Sequence, residues 1–283
     1  MNISKEIKNI KLLLGMSDVE LANSLGVSFD TILLYGKEDS DIKDRDIEEV
    51  YEYAFKKGVR LNLIKTQLLK EDFENNDTHI LFHGSKKSLS FPLNFKHSKT
   101  TNDFGVGFYL GETFIQASSY IANYNKRDVY AFSIQLKNLK VKRYSVDEQW
   151  MLTIASYRGM LEEYKDTRLI KDYISEAESC DVIIAPIADN NMFEIIEEYV
   201  KGLINDEQCK HALSATDLGY QYVIKSENAL KKLKCMDRLY VSQSELDEAM
   251  RVRIDNYEVS QDKVKLSRIE YKNKGKYIDE VLK

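Results

Sequence analysis

The chain has 283 residues, 43% of them apolar, and a formal net charge of −5 at pH 7. This length and composition allow one substantial hydrophobic core and a smaller unit, while the acidic balance argues against a protein that coats nucleic acid without specificity. No apolar run approaches the roughly 18 residues that a membrane span needs, and the first residues lack the apolar segment of a secretory signal. We therefore expect a cytoplasmic protein without a membrane anchor.

Three widely spaced cysteines are present, Cys180, Cys209 and Cys235. Their odd number and their separation are typical of reduced thiols and give no zinc-binding pattern. We interpret them as ordinary core or surface residues, and we expect no metal site.

Residues 1–70 have the pattern of a small all-α unit with four helices. Ser17 and Glu20 form a capping box that predicts the start of the second helix. Gly26 marks the following turn, and Ser28 is placed to cap the third helix.

The segment from Val19 to Ser28 resembles the helix-turn-helix of Xre-type repressors, which makes residues 29–35 the equivalent of the recognition helix. That helix carries no Arg, Asn or Gln that can read base edges. Seven acidic residues between Glu38 and Glu49 oppose contact with phosphates. Two interpretations stay open, namely DNA binding and docking to a protein or to a second copy in a homodimer, and these residues favour the second.

Residues 70–77 are charged and aperiodic and form the predicted linker. Beyond it, short apolar runs alternate with helical patterns, which indicates an α+β domain over 78–235, followed by a C-terminal helical extension over 236–283. The predicted strands are 79–82, 108–110, 129–136, 181–185 and 220–224, and the predicted helices are 112–124, 147–158, 193–202 and 228–234.

Two of the predicted strands carry the residues with the clearest chemical potential. The first strand leads into His83-Gly84-Ser85, and a glycine-rich turn leads through the second strand to Tyr109. A histidine, a tyrosine and unobstructed backbone can together form a flat, hydrogen-bonding slot for an aromatic ring such as nicotinamide.

Residues 79–235 resemble the ADP-ribosyltransferase superfamily of the diphtheria-toxin and poly(ADP-ribose) polymerase type. They are more similar still to a bacterial group of that clan found in toxin–antitoxin and phage-defence settings. The resemblance rests on five segments in the expected order: Phe82–Ser85, Asn102–Leu110, Ala117–Tyr120, Asp181–Asp189 and Tyr220–Ile224. It implies a split β-sheet fold, here preceded by the helix-turn-helix module, and NAD as the substrate.

The resemblance also implies a role for each matching residue. His83 would hydrogen-bond a ribose of NAD, and Gly84 would present its backbone to the nicotinamide carboxamide. Ser85 would be a further ribose contact. Tyr109 and Tyr120 would stack on opposite faces of the nicotinamide ring.

Gln221 stands where the polymerases of this superfamily have a glutamate. That glutamate hydrogen-bonds the ribose 2′-hydroxyl, and its charge stabilises an oxocarbenium-like transition state. Gln221 keeps the hydrogen bond without the charge, which is compatible with transfer of a single ADP-ribose and unfavourable to chain elongation. Asp189 and Asp217 are the candidate compensating acids, and Glu112 is a weaker one. Arg158, in the region expected to cover the cleft, is interpreted as a surface charge.

The leading hypothesis is a mono-ADP-ribosyltransferase that acts as a bacterial toxin or anti-phage effector. It would release nicotinamide and modify a protein, RNA or DNA acceptor, and an antitoxin would be a further partner. The alternative is a DNA- or protein-binding regulator whose inactive transferase domain senses NAD. A third hypothesis is hydrolysis of NAD, with water as the acceptor.

Overall fold

The structure, a computed structural model, describes residues 3–37, 42–96, 98–124, 128–215 and 218–282. In these residues, N-terminal helices are followed by seven strands of mixed β-sheet and further helices, so the fold is α+β as predicted. The helices are α1 (Ile3–Leu14), α2 (Asp18–Leu25), α3 (Phe29–Tyr35), α4 (Asp44–Lys56), α5 (Leu61–Phe73), α6 (Phe114–Ile121), α7 (Glu148–Tyr157), α8 (Arg168–Glu178), α9 (Asn190–Val200), α10 (Asp206–Ser214), α11 (Glu227–Lys232), α12 (Gln243–Glu270) and α13 (Ile278–Leu282). The strands are β1 (Thr78–Ser85), β2 (Phe108–Gly111), β3 (Asp128–Gln135), β4 (Val141–Arg143), β5 (Val182–Pro186), β6 (Tyr220–Ile224) and β7 (Leu233–Tyr240).

The chain divides into two compact units, each assembled from three stretches of sequence. Unit 1 comprises Met1–Ser88, Thr113–Ser133 and Cys235–Arg251. Unit 2 comprises Leu89–Glu112, Ile134–Lys234 and Val252–Lys283. The domain ranges 1–70, 78–235 and 236–283 stay predictions.

In unit 1, helices α1 to α4 share an apolar core. Its fully buried members include Ile10, Leu21, Ile32 and Val50. Ser17 and Glu20 form the predicted capping box, and the Ser28 hydroxyl accepts a hydrogen bond from the Thr31 amide at the start of α3. The four predicted N-terminal helices are therefore confirmed.

Helix α5 was not predicted, and it includes the first four residues of the predicted linker. Its buried residues, Leu61, Asn62 and Thr66, are mostly polar, so they produce no apolar stripe. The side chain of Asn62 instead donates to the Tyr240 carbonyl and to the Glu245 carboxylate, both within unit 1.

Acidic side chains of α4 cap the start of α12, also within unit 1. Glu48 accepts hydrogen bonds from the Gln243 amide at 3.0 Å and from the Tyr240 hydroxyl at 2.7 Å. Glu52 accepts from the amide and the hydroxyl of Ser244. Because the first amides of a helix have no partner within the helix and form its positive end, these carboxylates stabilise α12 where it begins.

In unit 2, four strands lie in the order β4-β5-β6-β2. β4 and β5 are parallel, whereas β6 is antiparallel to both β5 and β2. One face of these strands packs Ile183, Ala185 and Val223 into a core that also contains Trp150 of α7 and Tyr199 of α9.

The predicted helix over 228–234 is wrong at its end, because β7 begins at Leu233. The two lysines before it favour a helix, but burial of Leu233 in the sheet outweighs this local preference. β4, β7, α8, α10 and α13 were not predicted as separate elements. The remaining predicted strands and helices are present, with ends shifted by a few residues.

Among the described residues, no helix combines the length and the apolar character needed to cross a membrane. Across the same residues, no group of three or more acidic, histidine or cysteine side chains comes together as a metal site would require. Cys180 and Cys209 are buried free thiols and Cys235 is an exposed one, in agreement with their interpretation as core or surface residues.

Candidate functional site

Tyr109 and Gln221 lie on the same face of neighbouring strands in unit 2. In the β2–β6 register, Tyr109 is opposite Val223 and Gly111 is opposite Gln221. Opposite residues of an antiparallel pair share a face, and so do residues two apart along a strand. The structure therefore brings together two of the three predicted catalytic residues as diagonal neighbours.

The buried side chain of Gln221 is hydrogen-bonded to an acid that was not predicted. Its Nε2 donates to Asp103 Oδ2 at 2.9 Å and lies 3.3 Å from the backbone oxygen of Pro186. The other carboxylate oxygen, Asp103 Oδ1, accepts from Arg158 Nη2 at 2.5 Å. Asp103 and Gln221 are each only 7% exposed, so the pair is shielded from most of the solvent.

The interpretation of Arg158 as a surface charge is correct in that the residue is exposed, but it leaves out the partners of this charge. Its guanidinium pairs with Asp103 and also lies 3.9 Å from the ring centroid of Phe193, over the face of the ring. The ion pair and the cation–π contact restrict the arginine side chain together. Arg158 therefore belongs to the same cluster as Gln221.

The loop that carries Asp103 is held in place by two further side chains. The Tyr109 hydroxyl donates to the Gly105 carbonyl at 2.8 Å and accepts from the Phe104 amide at 3.1 Å. Lys225 donates to the Phe104 carbonyl at 2.6 Å. Burial raises the pKa of Tyr109 well above its ordinary value of 10, with the charge of Asp103 acting in the same direction, so the hydroxyl stays neutral and keeps its proton to donate.

Gly105 is a glycine for conformational and steric reasons. Its φ of 67° lies in the left-handed region, and a Cβ atom here would be 2.8 Å from a ring carbon of Tyr157. The glycine thus allows the loop to approach the ring closely. No phosphate-binding role is needed to explain it.

The predicted site residues on β1 and α6 belong to unit 1. His83, Gly84 and Ser85 are the last three residues of β1. The buried hydroxyl of Ser85 donates to the backbone oxygen of Lys87. A Cβ atom on Gly84 would lie 2.2 Å from the Ala117 carbonyl oxygen of α6, so close packing of α6 already requires a glycine at this position.

Tyr120 projects from α6 and is 59% exposed. The Lys86 ammonium lies 5.2 Å from the ring centroid of Tyr120 and 4.3 Å from that of Tyr124. A hydrogen bond with Tyr124 raises the pKa of Lys86, so the lysine remains charged beside both rings. The predicted stacking role of Tyr120 would require a ligand to share or displace this lysine.

The family of the chain follows from a sequence comparison. A family model described as protein of unknown function (DUF3990) matches residues 79–235, which is more than half of the chain. The chain belongs to the DUF3990 family. Neither the curated proteins nor the solved structures contain a match to it.

The DUF3990 segment contains the predicted compensating acids, of which Asp189 acts as the cap of α9. Its carboxylate accepts hydrogen bonds from the backbone amides of Asn191 and Met192. Asp217 lies outside the described residues. Glu112 is half-buried, and its backbone amide donates to the Tyr220 carbonyl. A catalytic role for any of these three stays a prediction, whereas Asp103 is the acid hydrogen-bonded to Gln221.

Proposed function

We propose that this DUF3990 protein is an NAD-dependent mono-ADP-ribosyltransferase that modifies a macromolecular acceptor. The observation that carries the proposal is the cluster in unit 2, in which Tyr109 and Gln221 share a face and Asp103 supplies a buried carboxylate beside Gln221. The resemblance of residues 79–235 to ADP-ribosyltransferases supports the same assignment. Action as a toxin or anti-phage effector, controlled by an antitoxin, is part of this proposal.

The residues present fit a ribose and an aromatic ring. Nε2 of Gln221 is engaged by Asp103, so Oε1 of the same amide is left to accept a hydrogen bond. No described residue donates to this Oε1 atom. A ribose hydroxyl is such a donor. The Tyr109 hydroxyl is used within the protein, so stacking on a ligand would fall to its half-buried ring, which also packs against the core of unit 2.

NAD supplies a glycosidic bond whose cleavage releases nicotinamide. Gln221 orients the ribose through a neutral acceptor, and the carboxylate of Asp103 is compensated by its ion pair with Arg158. The cluster therefore contributes orientation more than net negative charge to the reaction. A site that orients the ribose without adding net negative charge favours transfer of a single ADP-ribose unit to an acceptor that supplies its own nucleophile.

The test uses the full chain, NAD labelled in its ADP-ribose part, and a bacterial lysate separated into protein and nucleic-acid fractions. We expect release of nicotinamide and label in one fraction, and we expect Gln221→Ala to abolish both. Gln67→Ala is the matched control, because Gln67 is an exposed residue of α5 that pairs with Glu71. If wild-type protein releases no nicotinamide and labels no fraction, the proposal is wrong.

One observation favours the alternative of a regulator that binds a macromolecule and senses NAD. Helix α3, the equivalent of a recognition helix, exposes Phe29, Leu33 and Leu34. Exposed apolar side chains suit a protein partner better than a phosphate backbone. Binding of NAD without release of nicotinamide would support the regulator, and free ADP-ribose without labelled macromolecule would support NAD hydrolysis.

A further inference from the structure

We infer that Asp103 and Arg158 are positioning residues that fix the orientation of the Gln221 amide, so that the site accepts a hydrogen bond from a ligand hydroxyl. This inference rests on the proposed function for its catalytic consequence. The pairing itself concerns only residues of unit 2 and can be tested separately.

The orientation of the amide follows from its neighbours. One end of the Gln221 side chain faces Asp103 Oδ2 and the backbone oxygen of Pro186. An ionised carboxylate and a carbonyl can only accept hydrogen bonds. Rotating the amide by 180° would place Oε1 against two oxygens and leave a buried Nε2 without these acceptors, which is unfavourable for both groups.

Arg158 determines which oxygen of the Asp103 carboxylate faces Gln221. Its guanidinium engages Oδ1, which leaves Oδ2 for Gln221. The contact with Phe193 limits the movement of the arginine. The ion pair therefore presents one defined oxygen of Asp103 to the amide.

The position of Asp103 does not depend on Gln221. The Phe104–Gly105 backbone that follows it is bound by the Tyr109 hydroxyl and by Lys225. A change at position 221 should therefore leave the carboxylate of Asp103 where it is. The new side chain has to adapt to the acid.

This arrangement explains why a glutamate does not fit at position 221. Gln221→Glu would bring a second carboxylate to hydrogen-bond distance from Asp103. Two carboxylates at that distance cannot both be ionised without a large cost, so they would share a proton and titrate as a pair. The carboxylate of Asp103 accepts the hydrogen bond that the amide of Gln221 donates. Combining Asp103→Asn with Gln221→Glu reverses donor and acceptor and should restore this hydrogen bond.

The experiment compares wild type, Gln221→Glu, Asp103→Asn and the exchanged pair, which combines Asp103→Asn with Gln221→Glu. Thermal unfolding and the kcat and KM for nicotinamide release are measured between pH 5.5 and 8.5. Gln135→Glu, at the exposed end of β3 in unit 2, controls for the added charge. In the exchanged pair, the amide nitrogen introduced by Asp103→Asn can donate to the carboxylate introduced by Gln221→Glu, while the amide oxygen accepts from Arg158.

We expect Gln221→Glu to lower the unfolding midpoint by about 4 °C or more at pH 8 and kcat by about tenfold. Both losses should diminish as the pH falls and one proton is shared. The exchanged pair should be more stable and more active than Gln221→Glu alone, and it should lack the new ionisation. The inference is overturned if Gln221→Glu matches wild type at pH 8, or if the exchanged pair is no better than Gln221→Glu.

The two claims fail in different ways. If wild type releases no nicotinamide, the proposed function is wrong, but the unfolding midpoints of the four proteins and their pH dependence still decide whether Asp103 fixes the amide. If wild type is active and the midpoints show no coupling, only the positioning role is wrong.

Discussion

At Gly84 the packing of a helix and the predicted binding of a ligand both require a residue without a side chain. A Cβ atom would lie 2.2 Å from the Ala117 carbonyl oxygen and 2.9 Å from a methyl group of Ile121. The carbonyl is part of the backbone of α6 and cannot rotate away. Loss of activity in a Gly84 variant is therefore evidence for a ligand contact only when stability is measured as well.

We predict that Gly84→Ala lowers the free energy of unfolding by about 1–3 kcal/mol, because α6 has to move away from β1. Urea denaturation measures the change. The control is Gly36→Ala, since Gly36 has a φ of −75° and a Cβ atom there would make only ordinary contacts of 3.5 Å. Equal stability of Gly84→Ala and wild type would show that α6 does not pack against β1 this closely.

The role of the Tyr109 hydroxyl in holding the loop can be tested by removing one atom, its oxygen. We predict that Tyr109→Phe costs about 1–3 kcal/mol, because the Phe104 amide and the Gly105 carbonyl both lose their side-chain partner. The aromatic ring is retained, so stacking on a ligand should persist while the loop carrying Asp103 loosens. Kinetics should then show a lower kcat with a smaller change in KM.

The matched control for Tyr109→Phe is Tyr277→Phe, because Tyr277 is exposed. Unfolding by urea and nicotinamide release are measured on both variants. If Tyr109→Phe and Tyr277→Phe behave alike, the hydroxyl of Tyr109 does not hold the loop.

At the scale of elements, the contact of α5 with the start of α12 contains a buried carboxyl group. Glu245 is 8% exposed and accepts a hydrogen bond from Asn62 at 2.7 Å. Burial raises the pKa of Glu245 from 4.5 to about 7, although the Asn62 hydrogen bond and the charge of Arg60 oppose the shift. The nearby Glu248 carboxylate acts with burial.

This pKa predicts how stability depends on pH. Between pH 4.5 and 7 the folded chain holds a proton on Glu245 that the unfolded chain has lost, so this group lowers the free energy of unfolding as the pH rises, and its effect is constant above about pH 7. The full effect is about 3 kcal/mol at most. Glu245→Gln cannot ionise, so the stability of the variant relative to wild type should improve from pH 5 to pH 8.

Chemical denaturation at several pH values measures this difference. Other groups titrate in the same range, but they contribute equally to wild type and variant and cancel in the comparison. Glu71→Gln, on the exposed surface of α5, should show no such trend. A constant difference between Glu245→Gln and wild type from pH 5 to pH 8 would contradict the raised pKa.

Elements whose evidence is local were predictable from the sequence. β6 was predicted over 220–224 and has those bounds, and the Ser17–Glu20 box begins α2. β4 was missed because three residues contain too little pattern. α10 was missed because it packs Cys209 and Ala212 beside polar residues and shows no broad apolar stripe.

The candidate site was predictable only in part. Tyr109 and Gln221 stand in segments with a recognisable order, and the sheet register places them on one face. Asp103 and Arg158 were not assigned roles, because their pairing depends on residues far apart in sequence. Asp103 and Gln221 are 118 positions apart, and no local pattern reports which side chains such a distance brings together.

At the scale of the whole molecule, each unit contains at least one hydrophobic cluster of its own. The two units can therefore unfold in separate transitions. Each spectroscopic signal of unfolding must then be assigned to one unit. The chain has one tryptophan. Trp150 is fully buried in the core of unit 2, which is also the unit of Gln221 and Asp103, so its fluorescence reports the unfolding of that unit.

We predict that NAD shifts the Trp150 unfolding transition to higher temperature. A ligand that binds only the folded state at 100 times its dissociation constant stabilises it by about 2.7 kcal/mol. Gln221→Ala should reduce the shift, because it removes the acceptor for a ribose hydroxyl, whereas Gln67→Ala should leave it unchanged. Combined with nicotinamide release, this measurement separates the hypotheses: a shift with release indicates an enzyme, and a shift without release indicates an NAD sensor. The absence of any shift at millimolar NAD would contradict both, because each requires NAD to bind the folded chain.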